Sequence, residues 1–113
     1  MVLGNYIAAA KMVGYNPKHT TNQNSLDVSL VQLIATPERC DGKAIRLFAF
    51  LRLEFEGDAL YLHREDYKRG LPNGIWIAVP RDLSNDQNQT LNDKYVVCEG
   101  IFVQVNWNGF AAN

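Results

Sequence analysis

Long apolar runs are missing from this chain. None approaches the roughly eighteen residues that a membrane-spanning helix needs. Residues 1–18, MVLGNYIAAAKMVGYNPK, have no leading basic region and are interrupted by Gly4, Asn5, Lys11 and Gly14, so they do not read as a signal peptide. An excess of one charge is missing too. Eleven basic and twelve acidic residues leave a net charge of −1, which gives no overall pull toward nucleic acid or an anionic membrane and leaves only a local patch open. Cysteine is scarce. Cys40 and Cys98 are the only two, without zinc spacing or a Cys-x-x-Cys pair. They would form one disulfide in an exported chain; two packed free thiols in a reducing cytosol is the reading adopted here. There is no internal repeat and no glycine-rich phosphate-cradling motif.

What is present is an ordinary globular composition. A chain of 113 residues, 47% apolar and 11% aromatic, fits one domain and buries about two thirds of its unfolded surface. Val2, Leu3, Tyr6, Ile7, Ala10 and Val13 recur at mostly helical spacing, so residues 1–15 are expected to form a short helical arm. The polar stretch NPKHTTNQNS, 16–25, reads as its tether. The expected division is therefore an N-terminal arm and linker over 1–27 and a single β domain over 28–113.

The core begins with a helix at 30–35. Ser29 and Gln32 are spaced as a capping box, with Val28 and Leu33 as the hydrophobic staple. Thr36 and Pro37 open a second short turn, with Thr36 as its cap, and Asp41-Gly42 turns into a strand. Along Lys43–Phe55, Ile45, Leu47, Ala49, Leu51, Leu53 and Phe55 share one face, and Arg46, Phe48, Phe50, Arg52 and Glu54 share the other. A two-residue turn at Gly57-Asp58 would set Glu54 opposite Tyr61 and Arg52 opposite His63, gathering Arg52, Glu54, Tyr61 and His63 on one polar face. REDYKRG, 64–70, follows as a helical turn. Residues 75–79 form a short strand, 80–93 are mainly connection, and 94–105 form a second long strand. Gly100 in its middle marks a bend, a bulge or a close backbone approach.

This order predicts a mostly β (α+β) fold: a small, partly open OB-like antiparallel barrel preceded by a short helix, with the N-terminal helical arm outside it. A complete barrel of that kind needs a fifth strand, and only eight residues follow Val105. An open edge has to be covered, paired or charged, so a homodimer or higher symmetric oligomer is expected, with Trp107 and Phe110 as its anchors.

VSLVQLIATPERCDGKAIRLFAFLRLEFEGDALYLHREDYKRG, with the later NGIWIAV and LNDKYVVCEGIF, resembles a family of small bacterial proteins of unknown function. In that family a helix, Pro-Glu and Asp-Gly-Lys precede a long strand, Leu-Glu-Phe-Glu-Gly and Leu-Tyr-Leu-His. The resemblance covers about residues 28–103 and implies no activity. More distantly, the helix, Asp-Gly-Lys and long strand resemble OB-like domains that bind nucleic acid. The Ala-Ala-Asn ending would suit a reading frame from a mobile gene cassette.

Four chemistries are open to such a chain. His63 beside Glu54 and Tyr61 could serve as a general base, but an imidazole opposite Arg52 in a surface polar network is the plainer reading. Glu54, Glu56, Asp58, Glu65 and Asp66 are acidic enough for a hard cation, but a hairpin tip splays them into solvent and supplies no ordered loop. His63 with Asp66 is too little for a transition metal, with His19 away on the tether. Phe48, Phe50 and Trp76, interleaved with Arg46 and Arg52, could stack single-stranded bases; the alternative is a second small core beneath the helix or arm. Cys98 reads as core, and Cys40 has no neighbouring histidine for nucleophilic work. The sequence therefore points to a non-catalytic binding domain without cofactor or metal. Its expected partner is protein, including its own copy. Single-stranded nucleic acid is the runner-up, and a hydrolase using His63 and Glu54 the third.

Overall fold

The computed structural model describes residues 4–14, 24–54, 57–79 and 89–105. Its elements are β1 (Tyr6–Gly14), β2 (Leu26–Asp27), α1 (Leu30–Ala35), a 3₁₀ turn (Pro37–Arg39), β3 (Ala44–Arg52), β4 (Ala59–Tyr61), α2 (Arg64–Lys68), β5 (Gly74–Ile77) and β6 (Tyr95–Val103). The sheet runs β2-β3-β4-β5-β1-β6, and β6 pairs back onto β3, so five strands close into a barrel. Four of its five seams are antiparallel; the β1–β5 seam is parallel.

The barrel is OB-like, as the element order indicates, but closed rather than partly open. The missing strand comes from the N-terminus. Residues 6–14 are not a helical arm; they form β1, between β5 and β6. The physical reason lies in a bulge. Ala8 pairs with Ile101 and Lys11 with Glu99, so β1 uses three steps where β6 uses two, and Ala9 takes a left-handed φ of 52°. The extra residue lets Ile7 and Ala10 both point inward, followed by Met12. A strand that is apolar at steps of three and then two imitates helical spacing. The tether at 16–25 lies largely outside the described residues.

The core is one cluster inside the barrel. Ile45, Leu47, Ala49 and Leu51 enter from β3, Leu60 from β4, Ile75 and Ile77 from β5, and Val96, Cys98 and Phe102 from β6. Leu30 and Leu33 of α1 join the same cluster. The predicted capping box holds α1 in place. Ser29 Oγ accepts from the Gln32 N–H at 3.1 Å, and Gln32 Oε1 accepts from the Ser29 N–H at 2.7 Å. Thr36 does not cap the 3₁₀ turn; its hydroxyl donates back to the Gln32 carbonyl at 3.1 Å. Both cysteines are free and buried. No helix among the described residues is long and apolar enough to cross a membrane.

The hairpin register differs from the expected one. Phe50 pairs with Tyr61, Leu51 with Leu60 and Arg52 with Ala59. Arg52 thus meets residue 59 instead of 63, a slip of four. The slip is even, so every side chain keeps its face while changing its partner. The connection is wider than two residues because Asp58 is already committed: its Oδ1 accepts from the Glu54 N–H at 3.2 Å, and its carbonyl accepts from the Ile77 N–H at 3.0 Å.

Candidate functional site

Strand β3 turns Phe48 and Phe50 outward, and register across to β6 sets Phe48 opposite Val97 and Phe50 opposite Tyr95. Tyr95 lies between the two phenylalanines. Its ring stacks on Phe48 with centroids 5.5 Å apart and an interplanar angle of 16°, and meets Phe50 edge-on, also at 5.5 Å. Phe48 is 50% exposed and Tyr95 37%, whereas Phe50 is fully buried. Phe50 is roofed from outside by Arg64, the first residue of α2, whose guanidinium sits 5.4 Å over the ring. Arg64 is fixed there by its backbone N–H to Tyr95 Oη (3.3 Å) and its Nη2 to the Asp93 carbonyl (3.1 Å).

The three aromatics expected to share a face therefore part company. Phe48 is half-exposed and Phe50 is covered. Trp76, opposite Ala59, lies half-buried over Gly57, where a Cβ would fall 2.0 Å from the indole. Sequence reading missed Tyr95 as the partner of Phe48. The signal was its outward position on the last strand, but joining the two needed the β3–β6 register.

The polar cluster is also rearranged. Arg52 Nη1 lies 2.7 and 2.8 Å from the two oxygens of Asp93, and its Nε is 3.3 Å from Glu54 Oε1. The Arg52 guanidinium covers the Tyr67 ring at 5.1 Å, and the Tyr67 hydroxyl donates to the same Glu54 oxygen. Tyr61 packs on Tyr67 with centroids 5.3 Å apart. Hydrogen bonding to Asp93, with help from Glu54, raises the Arg52 pKa. The Tyr67 hydroxyl, with Arg52 behind it, pulls Glu54 below the usual carboxylate range, and the same bond raises Tyr67. Burial raises Tyr61. The Arg52, Glu54 and Tyr67 shifts favour the charge states that hold the cluster together, with Glu54 as a paired carboxylate.

His63 is not in the cluster. β4 ends at Tyr61, and His63 is the N-cap of α2 instead. Its N–H donates to Asp66 Oδ2 at 2.9 Å, its Nδ1 stands 3.6 Å from the same oxygen, and its side chain is 65% exposed. Asp66, the buried carboxylate, also accepts from Asn73 Nδ2 at 3.1 Å. His63 and Glu54 thus have separate partners. Tyr67 and Asp93, which complete the cluster, were not predicted; Asp93 reaches Arg52 from 41 residues away.

Two shallow cavities flank the Phe48–Tyr95 stack. One, of about 400 Å³, is lined by Phe50, Arg52, Arg64, Tyr67, Lys68 and Asp93. The other, of about 250 Å³, is lined by Asp27, Val28, Arg46, Leu47, Phe48 and Val97. Arg46 is 11% exposed, and its nearest carboxylates stand beyond hydrogen-bond range: Asp27 at 3.9 Å from Nη1 and Glu99 at 3.7 Å from Nε. Its Nε is buried without a hydrogen-bond partner. Among the described residues no three His, Cys, Asp or Glu side chains group as metal ligands. Trp107, Phe110, Glu56 and His19 lie outside the described residues.

Comparison with known proteins finds no matching family model, curated protein or solved structure.

Proposed function

We propose that this protein is a non-catalytic binding domain that holds single-stranded nucleic acid on the outer face of β3 and β6. The reading is carried by the Phe48–Tyr95 pair, a half-exposed aromatic stack on the outside of a closed OB-like barrel. Half-exposed aromatic surface of this kind stacks on unpaired bases whatever their identity. Arg64 and Lys68 stand beside it on the rim of the larger cavity, and neither has a carboxylate partner among the described residues. Arg52 is neutralised by Asp93 and Glu54, which leaves about two cations for phosphates. Binding is therefore weak and shallow in its salt dependence, with a log–log slope near −0.7 per phosphate contacted. Two buried unpaired thiols suit a cytoplasmic setting.

Anisotropy titration of a labelled oligothymidylate at low salt tests the reading. The expected result is saturable binding that weakens with salt, falls about tenfold in Phe48→Ala and exceeds binding to duplex of the same length. No binding at low salt removes the proposal.

A second reading rests on a different surface. Val31 and Ile34 leave the outer side of α1 apolar, at 54% and 42% exposure, which supports contact with another protein, including a second copy. The open sheet edge that first argued for self-association is filled by β1. Sedimentation velocity across a range of concentrations checks this reading. A monomer at all of them disfavours the second copy.

A further inference from the structure

Helix α2 and its C-cap carry two exposed charge pairs at i, i+4 spacing. Glu65 and Arg69 close on each other at 3.4 Å. Arg64 and Lys68 form the other pair. Both are cations, both line the cavity of about 400 Å³, and neither has a carboxylate partner among the described residues. Like charges at this spacing destabilise a helix, so the pair is short of an anion. Arg64 is already positioned for one. Its bond to the Asp93 carbonyl and its contact with Phe50 fix the guanidinium, and most of its five donors remain to be satisfied from outside the protein.

The other lining charges cancel. Arg52 Nη1 holds both oxygens of Asp93. Glu54, which bonds Arg52 at Nε and accepts from Tyr67, does not line the cavity. The lining residues are thus left with an excess of two positive charges. An internal phosphodiester supplies one negative charge. A terminal phosphate monoester approaches two at pH 7 and brings three acceptor oxygens. The two arginines on the outer face of β3 are both flanked by carboxylates, Arg52 by Glu54 and Asp93 and Arg46 by Asp27 and Glu99. Free positive charge beside β3 is therefore gathered at one point and not spread along a track.

We propose that this cavity holds the terminal phosphate of a bound single strand, gripped between Arg64 and Lys68. Tyr95, whose hydroxyl accepts from the Arg64 N–H at 3.3 Å, joins the cavity to the aromatic surface that takes the bases. The proposal rests on the single-strand reading above and adds to it a preferred strand end and the residues that create it.

The test compares three oligothymidylates at low salt, each labelled on an internal base: one with hydroxyl ends, one with a 5′-phosphate and one with a 3′-phosphate. One of the two phosphates is expected to tighten binding by about fivefold or more and the other by less than about twofold, because only one end of the strand reaches the cavity. The preference is expected to vanish in Lys68→Gln. It should persist in Arg69→Gln, which removes the same charge from the paired side of the helix. No tightening, equal tightening by both phosphates, or a preference that survives Lys68→Gln overturns the site and leaves the single-strand reading standing. Binding of the matching thymidine monophosphate as tightly as the phosphorylated strand overturns the strand end and assigns the cavity to a free nucleotide. If no strand binds, the single-strand reading falls and inorganic phosphate decides the site alone. Shifts of the Arg64 and Lys68 amide resonances with phosphate, and not with chloride at equal ionic strength, uphold the phosphate site, and no shifts end it.

Discussion

Ile7 occupies the space that a side chain on Gly100 would need: a Cβ built there would lie 2.5 Å from Ile7 Cγ2 and 2.7 Å from the Ala8 carbonyl oxygen. The glycine faces the β1 bulge, and its bare Cα lets the bulged strand press against β6. Gly100→Ala is expected to destabilise by about 1–3 kcal/mol, since the obstruction includes backbone as well as a packed side chain. Urea unfolding measures the loss. An unchanged midpoint would show that the two strands do not meet this closely.

Closure of the barrel by β1 has a separate test. Removing residues 1–14 uncovers the backbone edges of β5 and β6 together and takes Ile7, Ala10 and Met12 out of the core. The shortened chain is expected to lose cooperative melting and to associate through its bare edges. A peptide of residues 4–14 added in trans restores the melting transition. Normal melting without the strand would contradict its place in the sheet.

Asp58 gives a pH dependence. Desolvation raises its pKa, against the opposing bond from the Glu54 N–H. A carboxyl raised on folding favours the folded state below its unfolded pKa, near 3.9, and that contribution is lost as pH rises through the folded value. At neutral pH the ionised side chain therefore opposes folding. Asp58→Asn keeps the acceptor without the charge. It is expected to raise the melting temperature at pH 7 and to lose its advantage below about pH 4. A variant less stable than the parent at pH 7 would show that the charge contributes something the desolvation argument omits.

The thiols give a fourth prediction. Burial, with the Glu99 charge adding to it, pushes Cys98 up to about 12, and Cys40 is only 4% exposed. Both should resist a thiol reagent at pH 8 and react together on unfolding in denaturant. The raised Cys98 also means that stability falls as pH climbs from about 9 toward about 12. Rapid labelling of either thiol in buffer would show that the segment around it opens locally.

Several features were legible because they are local. The Ser29–Gln32 box, the Asp41-Gly42 turn and the alternating faces of β3 are written in residues a few positions apart, and each is present. Gly100 was legible as a bend, a bulge or a close approach, though not which of these nor what meets it. β1 was misread because a bulge changes the spacing of inward residues from two to three, the step that distinguishes helix from strand. The hairpin kept its faces and changed its pairs because period-two patterning fixes parity and not register. Arg52–Asp93, Phe48–Tyr95 and the roof of Arg64 over Phe50 depend on distant segments meeting, and no spacing within the chain announces them. The barrel's demand for a fifth strand was the one clue that 6–14 had a place in it.

The Tyr6–Val103 pairing has a consequence for how the molecule is made. β1 is seamed to β6, so every strand between them must be made before the ring of strands can shut. Contact order is high, and loop-closure entropy has to be met before the β1–β6 ladder returns anything. Refolding is therefore expected to be slow for so small a protein, with apolar strands exposed until the ring shuts.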